Sequence, residues 1–123
     1  MGIDIFVEWK GQNERERDEQ NLAASLGVDG GRGYLRESYH GEPYATKFLF
    51  SEAFLTGEAR IPAAVLRERL PHTLEFVEER ERKIYGSDEK QIEAMKESFR
   101  RFVGLCERKE TETGEAVLIV ASY

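Results

Sequence analysis

The residues with most chemistry to offer lie at positions 29–46, DGGRGYLRESYHGEPYAT. This stretch holds three of the five tyrosines (Tyr34, Tyr39 and Tyr44) and one of the two histidines, His40. Arg32 and Arg36 can donate to an anion. His40, Glu37 and Glu42 can exchange protons, and Tyr39 and Tyr44 can wall a ligand. Glycines surround these side chains, and loops of this kind on a rigid scaffold are where binding and catalysis concentrate. The plainer alternative is a surface connection, with glycines making turns and tyrosines burying rings while their hydroxyls reach water. The segment therefore nominates His40 and Glu42 as catalytic candidates and Arg32, Arg36, Tyr39 and Tyr44 as ligand contacts.

Other constellations are weaker. The run GVDGGRG holds four of the 11 glycines, but no G-K-[ST] or G-x-G-x-x-G pattern follows and the residues before it are not a buried strand. A phosphate cradle needs those features, so no nucleotide site is expected there. Asp4 and Glu8 share one face of an extended segment. Four residues at ~3.3 Å each put their Cα atoms about 13 Å apart, against roughly 5–9.5 Å for paired glycosidase carboxyls. A solvated face fits better. A further expectation is that Asp4, Phe6 and Glu8 floor a cleft walled by the Tyr39–Tyr44 loop. His40 and His72 stand in no H-x-x-x-H or H-E-x-x-H arrangement, so neither a metal nor a cofactor is expected. His72 follows Pro71 and reads as packing in the first turn of a helix. Cys106 shares a helical face with Phe99, Phe102 and Val103, which makes it a buried structural thiol. No G-x-S-x-G elbow is present. The run Glu75–Lys83 carries Glu78–Arg82 and Glu79–Lys83 at i,i+4, pairs worth only ~0.2–0.5 kcal/mol each, and reads as a solvated helix face.

The elements that must position these residues follow from periodicity. Residues 2–10 alternate, with Ile3, Ile5, Val7 and Trp9 on one face, and predict a strand. Residues 11–21 contain no hydrophobic side chain. Asn13 and Glu16 match a capping box, so a short helix is expected there, anchored by Leu22, Ala23 and Leu26, with a mobile loop as the alternative. Extended pieces follow at Tyr34–Glu37 and Ala45–Phe50, the latter on the alternation of Thr46, Phe48 and Phe50. Ser51–Phe54 fits one helical turn. Pro62 suits a helix start. Leu66, Leu70, Leu74, Val77 and Ile84 then carry a helical stripe interrupted by Glu81, with Pro71 implying one kinked helix or two. Gly86 ends it. Ser87 is expected to cap the next helix, whose apolar face is Ile92, Met95, Phe99, Phe102, Val103 and Cys106. Ala116–Ala121 is apolar on both faces, which predicts a central strand covered on both sides, beside the first strand.

Composition bounds the function. The chain has 123 residues, 40% hydrophobic and 34% charged, which fits a single globular domain spanning residues 1–123. No apolar run reaches the ~18–20 residues of a membrane span, and the first residues lack a signal peptide's basic start and apolar stretch, so no membrane association is expected. One cysteine excludes an internal disulfide and suggests a reducing cytoplasm. The net charge of −6, without a basic segment, argues against nucleic acid as a partner.

The run GYLRESYHGEPYATKFLF, with the opening GIDIFVEW and the closing IVASY, resembles small bacterial proteins without an assigned activity. The resemblance implies a small bacterial domain and no catalytic residue. The expected fold is α+β: a small mixed or antiparallel sheet of three to four strands, with a C-terminal helical hairpin packed on one face. The expected function is non-enzymatic binding, with an accessory or regulatory role, of a protein partner or small polar ligand through the Arg32–Tyr44 loop. A homodimer is a further possibility. The alternative is a small enzyme using His40 as general acid/base on an anionic substrate held by Arg36.

Overall fold

The computed structural model describes residues 2–123. Strand β1 (Gly2–Glu8) buries Ile3, Ile5 and Val7, as its alternation demands. Helix α1 (Glu14–Leu26) starts at a complete capping box: the Asn13 side chain accepts from the Glu16 N–H, and Glu16 accepts from the Asn13 N–H. Its anchor differs from the expected trio. Ala23 is buried, but Leu22 and Leu26 are exposed, and Gln20 takes their place. The Gln20 amide donates to Val7 O and Gly33 O, both at 2.9 Å, and so satisfies carbonyls that a leucine would strand.

A 3₁₀ turn at Gly30–Arg32 leads into β2 (Tyr34–Ser38). Gly30 is required by proximity, since a Cβ there would lie 1.7 Å from the carbonyl oxygen of Ser98. Residues 45–49 are not a strand but a short helix, α2 (Ala45–Leu49), followed by α3 (Ala53–Thr56) and a three-residue strand, β3 (Glu58–Arg60). The cause of the helix is remote in sequence: the Glu37 carboxylate accepts from the Ala45 and Thr46 N–H groups at 3.0 and 2.9 Å, supplying the partners a helix start lacks.

Helix α4 (Ala63–Lys83) is one helix with Pro71 inside it, and Pro62 is its N-cap residue. His72 therefore lies mid-helix and exposed, not in a first turn. Helix α5 (Glu89–Thr113) is capped by Asp88, one residue after the expected Ser87, in a capping box with Gln91. Ser87 instead donates its N–H to Glu81 O at 2.8 Å, closing the turn after Gly86. Strand β4 (Leu118–Ser122) completes the sheet.

The sheet is antiparallel throughout, in the order β2-β1-β4-β3, with α4 and α5 packed together. Phe50, Phe99, Phe102, Leu66 and Ile119 fill the core. The expectation of a β4 covered on both sides is corrected: Val117, Ile119 and Ala121 are buried, while Leu118 and Val120 remain half-buried on the other face. Leu118 pairs with Glu8 and Arg60, and Val120 with Phe6 and Glu58, so that face is a mixed apolar and charged surface that no helical layer needs to cover. Cys106 is fully buried on α5, and burial, with Glu107 and Glu110 nearby, pushes its thiol pKa far up.

Candidate functional site

Glu37 is the centre of the arrangement. Period-two alternation on β2 turns it to the helical side, with its side chain fully buried. Its Oε1 accepts from Thr46 N at 2.9 Å and Thr46 Oγ1 at 2.6 Å. Its Oε2 accepts from Ala45 N at 3.0 Å and from Arg80 NH1 at 2.6 Å, and faces His40 Nε2 at 3.0 Å. A buried carboxylate is tolerated only when paired and hydrogen-bonded, and this one is both. Burial alone would raise the Glu37 pKa. The Arg80 charge and the hydrogen bonds from Thr46 and His40 outweigh it and hold the carboxyl below its ordinary value.

Arg80 and Glu81 are buried, which corrects the reading of Glu75–Lys83 as a uniformly solvated face. The Arg80 Nε lies 3.5 Å from Glu81, and Glu81 accepts from Ser87 Oγ at 3.3 Å. The network thus runs from β2 across α4 to the turn before α5. The outer pairs of the same run are present as expected, Glu78–Arg82 at 3.3 Å and Glu79–Lys83 at 2.9 Å.

The loop 39–44 closes over this network. His40 is only 4% exposed at its side chain, with its ring 4.7 Å from the Tyr44 ring and edge-on to Tyr85 at 6.4 Å. The Tyr44 hydroxyl accepts from Gly41 N at 3.1 Å, and Lys47 reaches both Glu42 (2.9 Å) and the Tyr44 ring face (5.3 Å). Between the loop and α4 lies a cleft of about 200 Å³. Residues 40–43 form one wall, and Phe76, Glu79, Arg80, Lys83 and Ile84 form the other. Phe76 packs edge-on against His72 (4.7 Å) and Phe48 (5.6 Å), extending an aromatic surface from the cleft along α4.

The structure brings together His40, Glu42 and Tyr44, with Tyr39 exposed beside them. It does not bring the arginines. Arg36 points to the opposite face of β2, where NH1 grips both Asp4 oxygens at 2.8 and 2.9 Å and the Tyr34 hydroxyl donates to the same carboxylate. Arg32 pairs with Asp29 at 3.6 Å and lies beside Trp9 and Lys109. The segment Arg32–Tyr44 is therefore a strand followed by a loop, and its two ends serve different surfaces. For the same reason Asp4, Phe6 and Glu8 do not floor a cleft walled by Tyr39–Tyr44, because that wall faces α4. Arg80 is the contributor that sequence reasoning passed over. Its signal was present: residues 80 and 81 continue the i, i+3, i+4 spacing of Leu66, Leu70 and Val77, and so had to face the interior.

Beside the site, Arg69 grips Glu52 through two hydrogen bonds of 2.7 Å, and also donates to Leu49 O at 3.1 Å. The Arg69 hydrogen bonds, against some burial, lower the Glu52 pKa from 4.5 to about 2. Between those values the unfolded chain binds the proton that the folded one refuses. The stabilisation is thus complete above the unfolded pKa and is lost as pH falls towards the folded one. Glu37 contributes with the same sign. Urea unfolding at pH 5 and pH 3 should show a smaller acid-side loss for Glu52→Gln than for the wild type.

No protein-family model, curated protein or solved structure matches this chain. Among the described residues no helix is long and apolar enough to cross a membrane, and no group of three His, Cys, Asp or Glu side chains is placed to hold a metal ion.

Proposed function

We propose that the protein is a non-enzymatic recognition domain that binds a polypeptide partner at the cleft between the 39–44 loop and α4. The observation that carries this reading is the rim. Ile84 lines the cleft, Tyr85 stands edge-on to its His40 and Phe48 edge-on to its Phe76, all three among the exposed large hydrophobic residues, and the loop wall is held by a fully paired Glu37. Exposed aromatics around a small rigid pocket have the anatomy of a protein–protein hot spot, where one anchoring side chain enters and its surroundings exclude water. Size supports the same choice. A cleft near 200 Å³ falls below the ~300–1,000 Å³ usual for small-molecule sites and suits one side chain. The buried thiol of Cys106 accords with a reducing cytoplasm as the working compartment.

Peptide display on the folded protein tests this. Peptides selected on the wild type should carry a shared apolar anchor and bind Ile84→Ala/Tyr85→Ala at least about tenfold more weakly, a loss of about 1.4 kcal/mol. Selected peptides that bind that variant equally well would overturn the reading. So would a failure to select any.

A second reading has one specific observation in its favour. Glu37 accepting from Nε2 orients His40 as a carboxylate orients a catalytic imidazole, and leaves Nδ1 without a partner. Nδ1 is closed to solvent, however, and the cleft lining offers no serine, threonine or cysteine nucleophile. Recognition is the reading preferred.

A further inference from the structure

Main-chain hydrogen bonds in an antiparallel sheet alternate between the two sides of a strand, so the pairing of β3 with β4 fixes which of its groups are left over. The Ala121 N–H donates to Gly57 O at 2.8 Å and the Ile61 N–H to Val117 O at 3.3 Å, so Gly57, Ala59 and Ile61 turn their backbone toward β4. Glu58 and Arg60 turn theirs the other way, to the outer edge of the sheet. No main-chain partner meets them there among the described residues. The Glu58 carbonyl accepts from the Thr56 hydroxyl at 3.0 Å and keeps a second lone pair free. Both side chains are exposed, and neither forms an ion pair among the described residues, although Glu52 just upstream is held by Arg69. Arg60 makes a single hydrogen bond, from NH1 to Ala116 O at 2.8 Å. The opposite edge of the sheet offers less: Tyr34 already exchanges main-chain bonds with Asp29, and Arg36 is held by Asp4.

We propose that β3 pairs with β3 of a second copy of this chain, antiparallel, with Ala59 opposite Ala59 and Glu58 opposite Arg60 on either side of the two-fold axis. Charge selects the register. A two-fold contact has to be self-complementary. Glu58 and Arg60 lie two positions apart on one strand, so both point to the same face of the sheet. In this register each carboxylate stands directly across the seam from the other copy's guanidinium. Opposite charges so placed stabilise a strand pair, whereas like charges destabilise it. Each Glu58–Arg60 pair also exchanges both of its main-chain bonds, which satisfies the groups left over on the two edges. Ala59 falls on the axis, where side chains approach most closely, and its methyl group is small enough for that position. Charges on an edge strand ordinarily deter added strands. They do so when they share one sign. With the sign alternating, the same device recognises its own copy. Only three residues of each chain pair, and each chain carries a net charge of −6, so the dimer is weak. Its dissociation constant is expected at about 10–100 µM.

Sedimentation equilibrium of the full chain between about 5 µM and about 1 mM tests this, and the wild type should pass from monomer to dimer across that range. Glu58→Arg alone and Arg60→Glu alone each set like charges opposite one another, and each should weaken association at least about tenfold. An equimolar mixture of the two variants should associate again, because one chain then presents only positive and the other only negative charge along the edge. The double substitution Glu58→Arg/Arg60→Glu restores opposite charges within one chain and should dimerise like the wild type. Both positions are exposed, so these substitutions leave the fold intact. Amide exchange gives an independent reading: the Glu58 and Arg60 N–H groups of the wild type should gain protection as concentration rises. A wild type that stays monomeric at about 1 mM would overturn the proposal, as would single variants that dimerise as well as the wild type. So would a mixture or a double substitution that stays monomeric, or Glu58 and Arg60 amides that exchange equally fast at every concentration.

Discussion

Glu37→Ala should cost about 3–5 kcal/mol of folding stability, the usual penalty for removing one partner of a buried ion pair. The loss arises mainly from what remains. Arg80, 7% exposed at its side chain, would keep its charge in the interior with only the 3.5 Å contact to Glu81. The Ala45 and Thr46 N–H groups would lose their acceptor, and the Thr46 hydroxyl its partner. Against a total stability of about 5–15 kcal/mol, this is a large fraction. Thermal unfolding should register it as a fall of about 10–20 °C. Arg80→Met should also destabilise, because it leaves the Glu37 charge buried. The double substitution should cost clearly less than the sum of the two, since it removes both charges together. Additive losses would mean that Glu37 and Arg80 are not coupled, and the network described above would be wrong. If Glu37→Ala does not fold, Glu37→Gln with Arg80→Met gives the same comparison.

Phe102→Ala should be comparably severe, at about 3–5 kcal/mol, for a different reason. Phe102 has no solvent exposure and packs edge-on against Phe50 with ring centroids 5.1 Å apart. It joins α5 to the segment that follows α2, so truncation opens a void between the long helix and the residues that carry the site loop. Aromatic pairs in this geometry add about 0.5–1.5 kcal/mol beyond area burial. Phe102→Leu should keep most of the packing volume and lose much less. Chemical denaturation of the two variants checks this: equal losses would show that the pocket around Phe102 collapses freely instead of holding a fixed shape.

The contrast between these residues explains which parts of the molecule were legible in the sequence. Phe102 sits in an unbroken helical stripe from Ile92 to Cys106, and β1 alternates without interruption, so local periodicity specified both. The capping box at Asn13–Glu16 was equally local. Residues 45–50 were misread because Thr46, Phe48 and Phe50 alternate like a strand, while the partner that makes them helical, Glu37, lies eight residues upstream at the Ala45 contact. β3 is three residues long and has no pattern to detect. The His40 and Tyr44 side of the cleft could be nominated from composition. The α4 side was hidden because a buried Arg80 and an exposed Arg82 look alike in a charged run, and only their phase on the helix separates them.

The cleft keeps its shape because the Glu37 carboxylate holds the 40–46 segment against α4. Amide hydrogen exchange at Ala45 and Thr46 measures it. In the wild type both amides should exchange only through global unfolding, with protection close to that of Phe99 and Phe102 in the core, and in Glu37→Gln they should exchange through local opening while the core amides stay protected. Fast exchange at Ala45 and Thr46 in the wild type, with the core intact, would show that Glu37 does not hold the segment, and the rigid cleft would lose its basis.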